Sequence, residues 1–185
     1  MSSNPPQLLH RVGQFLDIEG IRWAAIGALA VAYHGWIRAS LDADALISLK
    51  GTGKAVERLA ESLRAQGWKV ELRIGDEEDP LGFVLRVEDG NENQVDLIGG
   101  IRRLDPKFFE RTIQDELDGM PLRIASPEDL VALKVFAGGP KDRDDAAGVL
   151  EVTGAKLDRV LLIKLCARFG PAEEKLCKRL LENRP

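Results

Sequence analysis

Asp42 and Asp44 stand two residues apart in Arg38-Ala-Ser-Leu-Asp-Ala-Asp-Ala-Leu-Ile-Ser-Leu49, at the entrance of an otherwise apolar run. In an extended strand successive side chains alternate between faces. The two carboxylates therefore share one face with Leu46 and Ser48, while Ala43, Ala45, Ile47 and Leu49 take the other. Side chains two apart along a strand lie ~7 Å from each other, so their oxygens can converge on one hard cation or an adjacent pair. A third acid, Asp96 in Gln94-Val-Asp-Leu97, is flanked by Val95 and Leu97 of the opposite face, in a strand suited to pair beside the first. Three carboxylates on one sheet face would hold Mg²⁺, or Mn²⁺ in its place, with water and phosphate oxygens completing the shell. The alternative for the acidic triplet is an edge strand whose charges discourage edge-to-edge pairing.

Upstream, Ile26-Gly27-Ala28 falls between an apolar strand and a small-residue helix. Glycine permits a tight turn there, and the free N–H groups of the following helix can receive an anion. A phosphate receiver would then lie beside a metal holder. Other chemistry is thinly supplied. With only His10 and His34 there is no histidine-rich zinc site, and His34 reads as a packed helix-end residue before it reads as a base. Cys166 and Cys177, eleven positions apart with no CxxC pair, read as reduced, buried thiols. A net charge of −4 argues against a large nucleic-acid footprint, although the Lys and Arg residues of 159–184 could form a basic face.

The elements that must position these residues follow from periodicity. A chain of 185 residues, 44% apolar and 30% charged, suits one domain with a proper core. No apolar run approaches the ~18 residues of a membrane span, and the start is polar and Pro-containing, so a cytoplasmic location is expected. Helical spacing follows Pro5-Pro6 and stops at Gly20; a short strand covers Ile21–Ile26; a helix runs to about Gly35; another covers Gly53 to Gly67. Alternation marks a strand over Trp68–Ile74, and Phe83–Val87 and Gln94–Ile98 form a hairpin around Glu88-Asp-Gly-Asn-Glu-Asn93. A helix near 106–117 and a strand near 121–125 are expected next. From Ser126-Pro127-Glu128 onward the pattern is helical, with Gly138-Gly139-Pro140 as an internal break. The expected class is α+β, a mixed sheet flanked by helices, divided as a core of 1–125 and a C-terminal helical segment of 126–185 packed on it.

Taken together, Gly27-Ala28, His34-Gly35, Arg38-x-Ser40-x-Asp42-x-Asp44 and Asp96 resemble the nucleotidyltransferase superfamily of the polymerase-beta type, and more narrowly its small bacterial members related to the AbiEii-type toxins. The segment Ser126-Pro-Glu-Asp-Leu-Val-Ala-Leu-Lys134, followed by Lys141-Asp142-Arg143-Asp144-Asp145, is similar to the helical part these proteins place after the sheet. The resemblance covers about residues 21–150. It implies transfer of a nucleoside monophosphate from an NTP to an acceptor hydroxyl of an RNA end, a protein or a small molecule, in a chain that could be one half of a toxin–antitoxin pair. By the same resemblance Asp42, Asp44 and Asp96 are the catalytic and metal-binding acids, with Asp96 assisting deprotonation of the attacking hydroxyl. Gly27, Ala28, Arg38, Ser40, Lys134 and Lys141 are the nucleotide-binding candidates. The family carries Gly or Ser where Ala28 stands, so backbone N–H groups alone would meet the phosphates. Ala43 and Ala45 are expected to leave the far side of the strand thinly packed. Asp142 and Asp145 read as salt-bridge partners of Lys141 or Arg143. The second reading is a fold that keeps NTP binding without chemistry and works through a protein partner.

Overall fold

The computed structural model describes residues 4–37, 42–49, 53–117 and 119–182. Among them, seven strands form one sheet: β1 (Arg22–Ile26), β2 (Asp42–Ser48), β3 (Lys69–Ile74), β4 (Phe83–Glu88), β5 (Gln94–Gly99), β6 (Ile113–Leu117) and β7 (Met120–Ile124). Their order is β3-β4-β5-β2-β1-β7-β6. Strand β2 runs antiparallel to β1 and parallel to β5, and β3, β4 and β5 form an antiparallel meander. The expected α+β class with a mixed sheet is what the chain forms. The acidic strand, however, stands fourth of seven, hydrogen-bonded on both sides, so the edge-strand explanation of Asp42 and Asp44 fails.

Helix α1 (Pro5–Ile18) starts where Asn4 accepts the Gln7 N–H at 3.1 Å and Pro occupies the first turn. Its stripe of Leu8, Leu9, Val12 and Leu16 is fully buried. The ring of Trp23 in β1 lies so close to Gly13 that a Cβ there would be 2.2 Å from it. Trp23 pairs with Ile47 and Ala25 with Ala45, so α1 covers the apolar face of the sheet. Ala43 and Ala45 are 1% and 0% exposed, which corrects the expected thin packing. Helix α3 (Gly53–Ala65) buries Val56, Leu59, Ala60 and Leu63 and packs against β3 and β4.

The expected helix over 106–117 is replaced by a short 3₁₀ turn at Phe108–Glu110 and by β6. Hydrogen bonding to β7 decides the state of so short and polar a segment, and tertiary pairing overrides weak helical spacing. Gly119, at φ 75°, turns the chain between the two strands.

The chain divides into two compact units. The first comprises 1–29, 40–102 and 114–124, and holds the sheet; the second comprises 30–39, 103–113 and 125–185. The second unit therefore groups 30–37 and 103–113 with the C-terminal helices. In the second unit, α4 (Pro127–Ala137) is buried almost all round and packs against α5 (Pro140–Thr153), α6 (Arg159–Phe169) and α7 (Pro171–Glu182), as a central helix must. Ser126 caps α4 by accepting the Asp129 N–H at 3.1 Å, and Gly138 closes it in the left-handed conformation. Segment 103–113 belongs here because its polar groups do: Arg103 donates to the Phe169 carbonyl at 2.7 Å, and Arg111 reaches Asp129 from both Nε and Nη2 at 2.7 Å. Cys166 and Cys177 are free, buried and hydrogen-bonded to each other. Among the described residues no helix is long and apolar enough to cross a membrane.

Candidate active site

Strand β1 ends at Ile26, whose partner across the ladder is Asp44. The chain then turns at Gly27, with φ 67°, into the seven-residue helix α2 (Gly27–Tyr33). A Cβ on Gly27 would lie 1.9 Å from Asp44 Oδ2. The turn and the carboxylate therefore abut, and no side chain can stand between them. Ala28 beside it is buried, so only backbone groups of this turn are offered.

On the other side of β2, Asp44 is directly opposite Asp96 and Asp42 is opposite Gln94. One row across the sheet therefore reads Asp44, Asp96, Arg86 and Glu71, all on one face. The row below reads Asp42, Gln94, Glu88 and Lys69. Asp42 is exposed and Asp44 and Asp96 are half-buried. The three acids anticipated from the sequence thus come together on neighbouring strands of one face, with Gly27 and Ala28 adjoining Asp44. Arg38 and Ser40 lie outside the described residues.

Arg86 was not anticipated. Its Nε and Nη2 each donate to one Asp96 oxygen at 3.0 Å, a fork that occupies both carboxylate oxygens. Asp96 in turn raises the guanidinium's pKa through these hydrogen bonds. A signal existed, because the hairpin is symmetric: Phe83 pairs with Gly99 and Glu88 with Gln94, which puts 86 opposite 96. Glu71, Arg73, Val84, Arg86 and Asp96 line a cleft of about 390 Å³ on this face.

These positions test which residues suit a divalent cation. Asp42 and Asp44 share a strand face, as a metal-holding pair must. Asp96 is in register and each of its oxygens accepts one hydrogen bond from Arg86, and among the described residues no three His, Cys, Asp or Glu side chains gather closely enough to hold a metal.

Lys134 lies on α4 in the second unit, only 9% exposed, and its ammonium meets Asp142 and Asp145 at 2.9 Å each. Burial alone would lower its pKa; the hydrogen bonds it donates to Asp145 and Asp142 outweigh that and raise it. The partner of the two aspartates is thus Lys134, not Lys141 or Arg143 as their spacing suggests. Lys141, at the start of α5, is exposed.

His34 packs as a helix-end residue does. Its Nε2–H donates to the Ala125 carbonyl at 2.9 Å, and its ring meets Tyr33 edge-on at 5.3 Å. Burial pushes its pKa below the ordinary 6.5, against the opposing pull of the Ala125 carbonyl and Glu128. A depressed folded value means that the fold holds fewer protons than the unfolded chain. The stability this contributes is complete above about 6.5 and lost as pH falls through the folded value. The unfolding midpoint is expected to drop between pH 7.5 and pH 5.5 by more in the wild type than in His34→Gln. Equal drops would remove His34 from the balance.

No protein-family model and no curated protein matches the sequence. Solved structures do match. One is an antigenic nucleotidyltransferase-like protein from Paracoccidioides brasiliensis, at 14% identity over 97% of this chain and 88% of that one, with a TM-score of 0.56. Another is ANT(2")-Ia in complex with adenylyl-2"-tobramycin, at 17% identity over 89% and 98%, TM-score 0.60. A third is the lincosamide antibiotic adenylyltransferase LnuA, lincomycin-bound, at 10% identity over 82% and 100%, TM-score 0.53. At such identities the likeness is one of fold.

Proposed function

We propose that this chain, which carries the nucleotidyltransferase-like fold, transfers a nucleoside monophosphate from an NTP to an acceptor hydroxyl. The acceptor oxygen bonds to the α-phosphorus, the bond from that phosphorus to the bridging oxygen breaks, and pyrophosphate leaves. The observation that carries the reading is the abutment of Gly27 and Asp44, with Asp42 on the same strand face. A backbone turn able to receive phosphate oxygens beside a carboxylate pair able to hold a cation is what a triphosphate requires. Asp42 and Asp44 would hold Mg²⁺, or Mn²⁺, which supplies neutralising charge to the phosphates. The chain's own contribution is placement. Gly27 and Ala28 offer N–H groups without side-chain obstruction, and Asp96, whose oxygens keep lone pairs beyond those used by Arg86, accepts the acceptor's hydroxyl proton. Lys134 is committed to Asp142 and Asp145 and is left out of the nucleotide contacts.

Among the matching structures one is a lincosamide antibiotic adenylyltransferase and another holds adenylyl-2"-tobramycin, so ATP and a hydroxylated small molecule are the first donor and acceptor to try. The test is thermal unfolding with each of the four NTPs, with and without Mg²⁺. A rise with one NTP only when Mg²⁺ is present supports the reading, because a ligand of the folded state raises the midpoint by mass action. No rise with any NTP removes it. Gly27→Ala sharpens the test. At φ 67° a side chain costs ~1 kcal/mol or more, and the added Cβ must displace Asp44. This variant should still fold, with a lowered midpoint, and lose most of the nucleotide-dependent rise; an unchanged rise would separate the turn from the site.

The Arg86–Asp96 pair also favours a second reading, a module that binds NTP and transfers nothing. Pyrophosphate release with candidate acceptors distinguishes the two.

A further inference from the structure

Strand β3 ends the sheet on one side, with β4 as its neighbour and no strand beyond it among the described residues. Its main-chain groups divide by parity. Gly75, next after the strand, donates its N–H to the Gly82 carbonyl at 2.9 Å in continuation of the β3–β4 register. The main-chain groups of Lys69, Glu71 and Arg73 therefore turn to β4, and those of Val70, Leu72 and Ile74 turn outward. Arg64 agrees with this direction, since its Nη2 and Nε donate to the Val70 carbonyl at 2.9 and 3.3 Å. The side chains divide by the same parity. Val70 is buried, Leu72 is half-buried and Ile74 is 52% exposed, whereas Lys69, Glu71 and Arg73 stand exposed on the acid face. An edge with outward main-chain groups and an exposed isoleucine is a template for another strand.

We infer that β3 pairs antiparallel with β3 of a second copy of this chain, about a two-fold axis through Leu72, in a contact independent of nucleotide binding. A two-fold edge contact must set outward-facing residues opposite one another, which leaves axes at Val70, Glu71, Leu72, Arg73 and Ile74. An axis at Glu71 or Arg73 sets that charge opposite its own copy. An axis at Val70 engages half the strand and leaves Ile74 uncovered, and one at Ile74 matches no charges. The axis at Leu72 engages the strand from Val70 to Ile74. On the apolar side it sets Val70 opposite Ile74 and Leu72 opposite Leu72. On the charged side it sets Glu71 opposite Arg73 at both symmetric positions, where the pairs lack main-chain hydrogen bonds and the side chains come closest. Both charges already have partners, Glu71 with Lys69 and Arg73 with Asp79, each at 3.3 Å. A carboxylate with two oxygens and a guanidinium with five N–H groups can each take a second partner and keep the first. Arg64 holds the Val70 carbonyl in the single chain and yields it to the Ile74 N–H of the second copy. The contact is small and competes with that internal bond, so the dimer is a reversible one.

Sedimentation velocity of the full chain, without nucleotide or added metal and from about 10 µM to about 1 mM, reads this out. The wild type is expected to pass from the 20.4 kDa of one chain toward twice that mass as its concentration rises. Glu71→Arg and Arg73→Glu each set like charges opposite one another at both symmetric positions and should weaken association about tenfold or more. An equimolar mixture of the two variants restores opposite charges at both positions and should associate as the wild type does. The double change Glu71→Arg with Arg73→Glu should dimerise with itself and not with the wild type, and it decides alone if either single variant fails to fold. A wild type that stays monomeric over the whole range overturns the inference. Association that survives either reversal does so too, because the contact then lies elsewhere on the molecule. A mixture of the folded single variants that stays monomeric, or a folded double variant that does, removes the Leu72 register and the inference with it.

Discussion

Replacing Asp42 and Asp44 together by alanine is expected to abolish the Mg²⁺-dependent rise in unfolding midpoint given by the preferred NTP, while the ligand-free protein still folds. A ligand at about a hundred times its dissociation constant stabilises the folded state by ~2.7 kcal/mol. For a chain of this size that corresponds to roughly 5–11 °C, at ~2–4 °C per kcal/mol. The double variant should show none of it. Its ligand-free midpoint should stay within about 2 °C of the wild type, because polar changes at the solvent-facing side of a sheet usually cost or gain no more than ~0.5 kcal/mol. The measurement is a thermal scan of both proteins, with and without Mg²⁺ and each NTP. A shift retained in the double variant would mean that the nucleotide binds elsewhere on the molecule.

What the sequence makes legible in this site is what period two makes legible. The alternation of β2 and β5 puts Asp42, Asp44 and Asp96 on one face, and the turn-rich 88–93 stretch makes a hairpin of β4 and β5. The place of β2 in the middle of the sheet is not legible, because strand order is set by contacts distant in sequence, and those contacts decide whether the acidic strand is an interior strand or an edge. Arg86 stands between these cases: its register opposite Asp96 follows from the hairpin's symmetry, but its importance emerges only once Asp44 is known to lie on the far side of Asp96. The partners of Lys134 were hidden for another reason. Asp142 and Asp145 lie eight and eleven residues on, across the break at Gly138-Gly139-Pro140, so no spacing rule within one helix connects them. Strand β6 was hidden by its composition. Ile113-Gln-Asp-Glu-Leu117 carries neither a clean alternation nor a bulky β-branched run, and Gly119, at the turn into β7, is a weak local sign of a hairpin.

The largest effect on stability is expected at Asp129, far in character from the acid face. Its side chain is 3% exposed, takes a two-pronged bond from Arg111 at 2.7 Å, and accepts the Ser126 Oγ–H at 2.8 Å. Arg111 is held by Asp105 as well, at 3.1 Å. These hydrogen bonds raise the guanidinium's pKa well above its ordinary value, with Asp129 as the leading cause. Asp129→Ala would leave a largely buried guanidinium with one carboxylate in place of two, and the Ser126 hydroxyl without its acceptor, although Ser126 would still cap α4 through the backbone N–H of residue 129. Breaking a buried pair by removing one partner costs ~3–5 kcal/mol. Asp105 remains in place, so the low end, about 3 kcal/mol, is expected, and a midpoint lower by roughly 6–12 °C. Arg11→Ala, which removes an ion pair whose arginine is 48% exposed, serves as the control and should cost no more than about 1 kcal/mol. The decisive comparison is the double change Arg111→Met with Asp129→Leu. Exchanging both members of a buried pair for apolar groups of similar volume removes the desolvation cost along with the attraction, so much of the lost midpoint should return. If Asp129→Ala costs no more than Arg11→Ala, the network does not hold segment 103–113 to α4. If the double change is as damaging as the single one, the hydrogen bonds to Ser126 and Asp105, rather than the stranded charge, carry the stability.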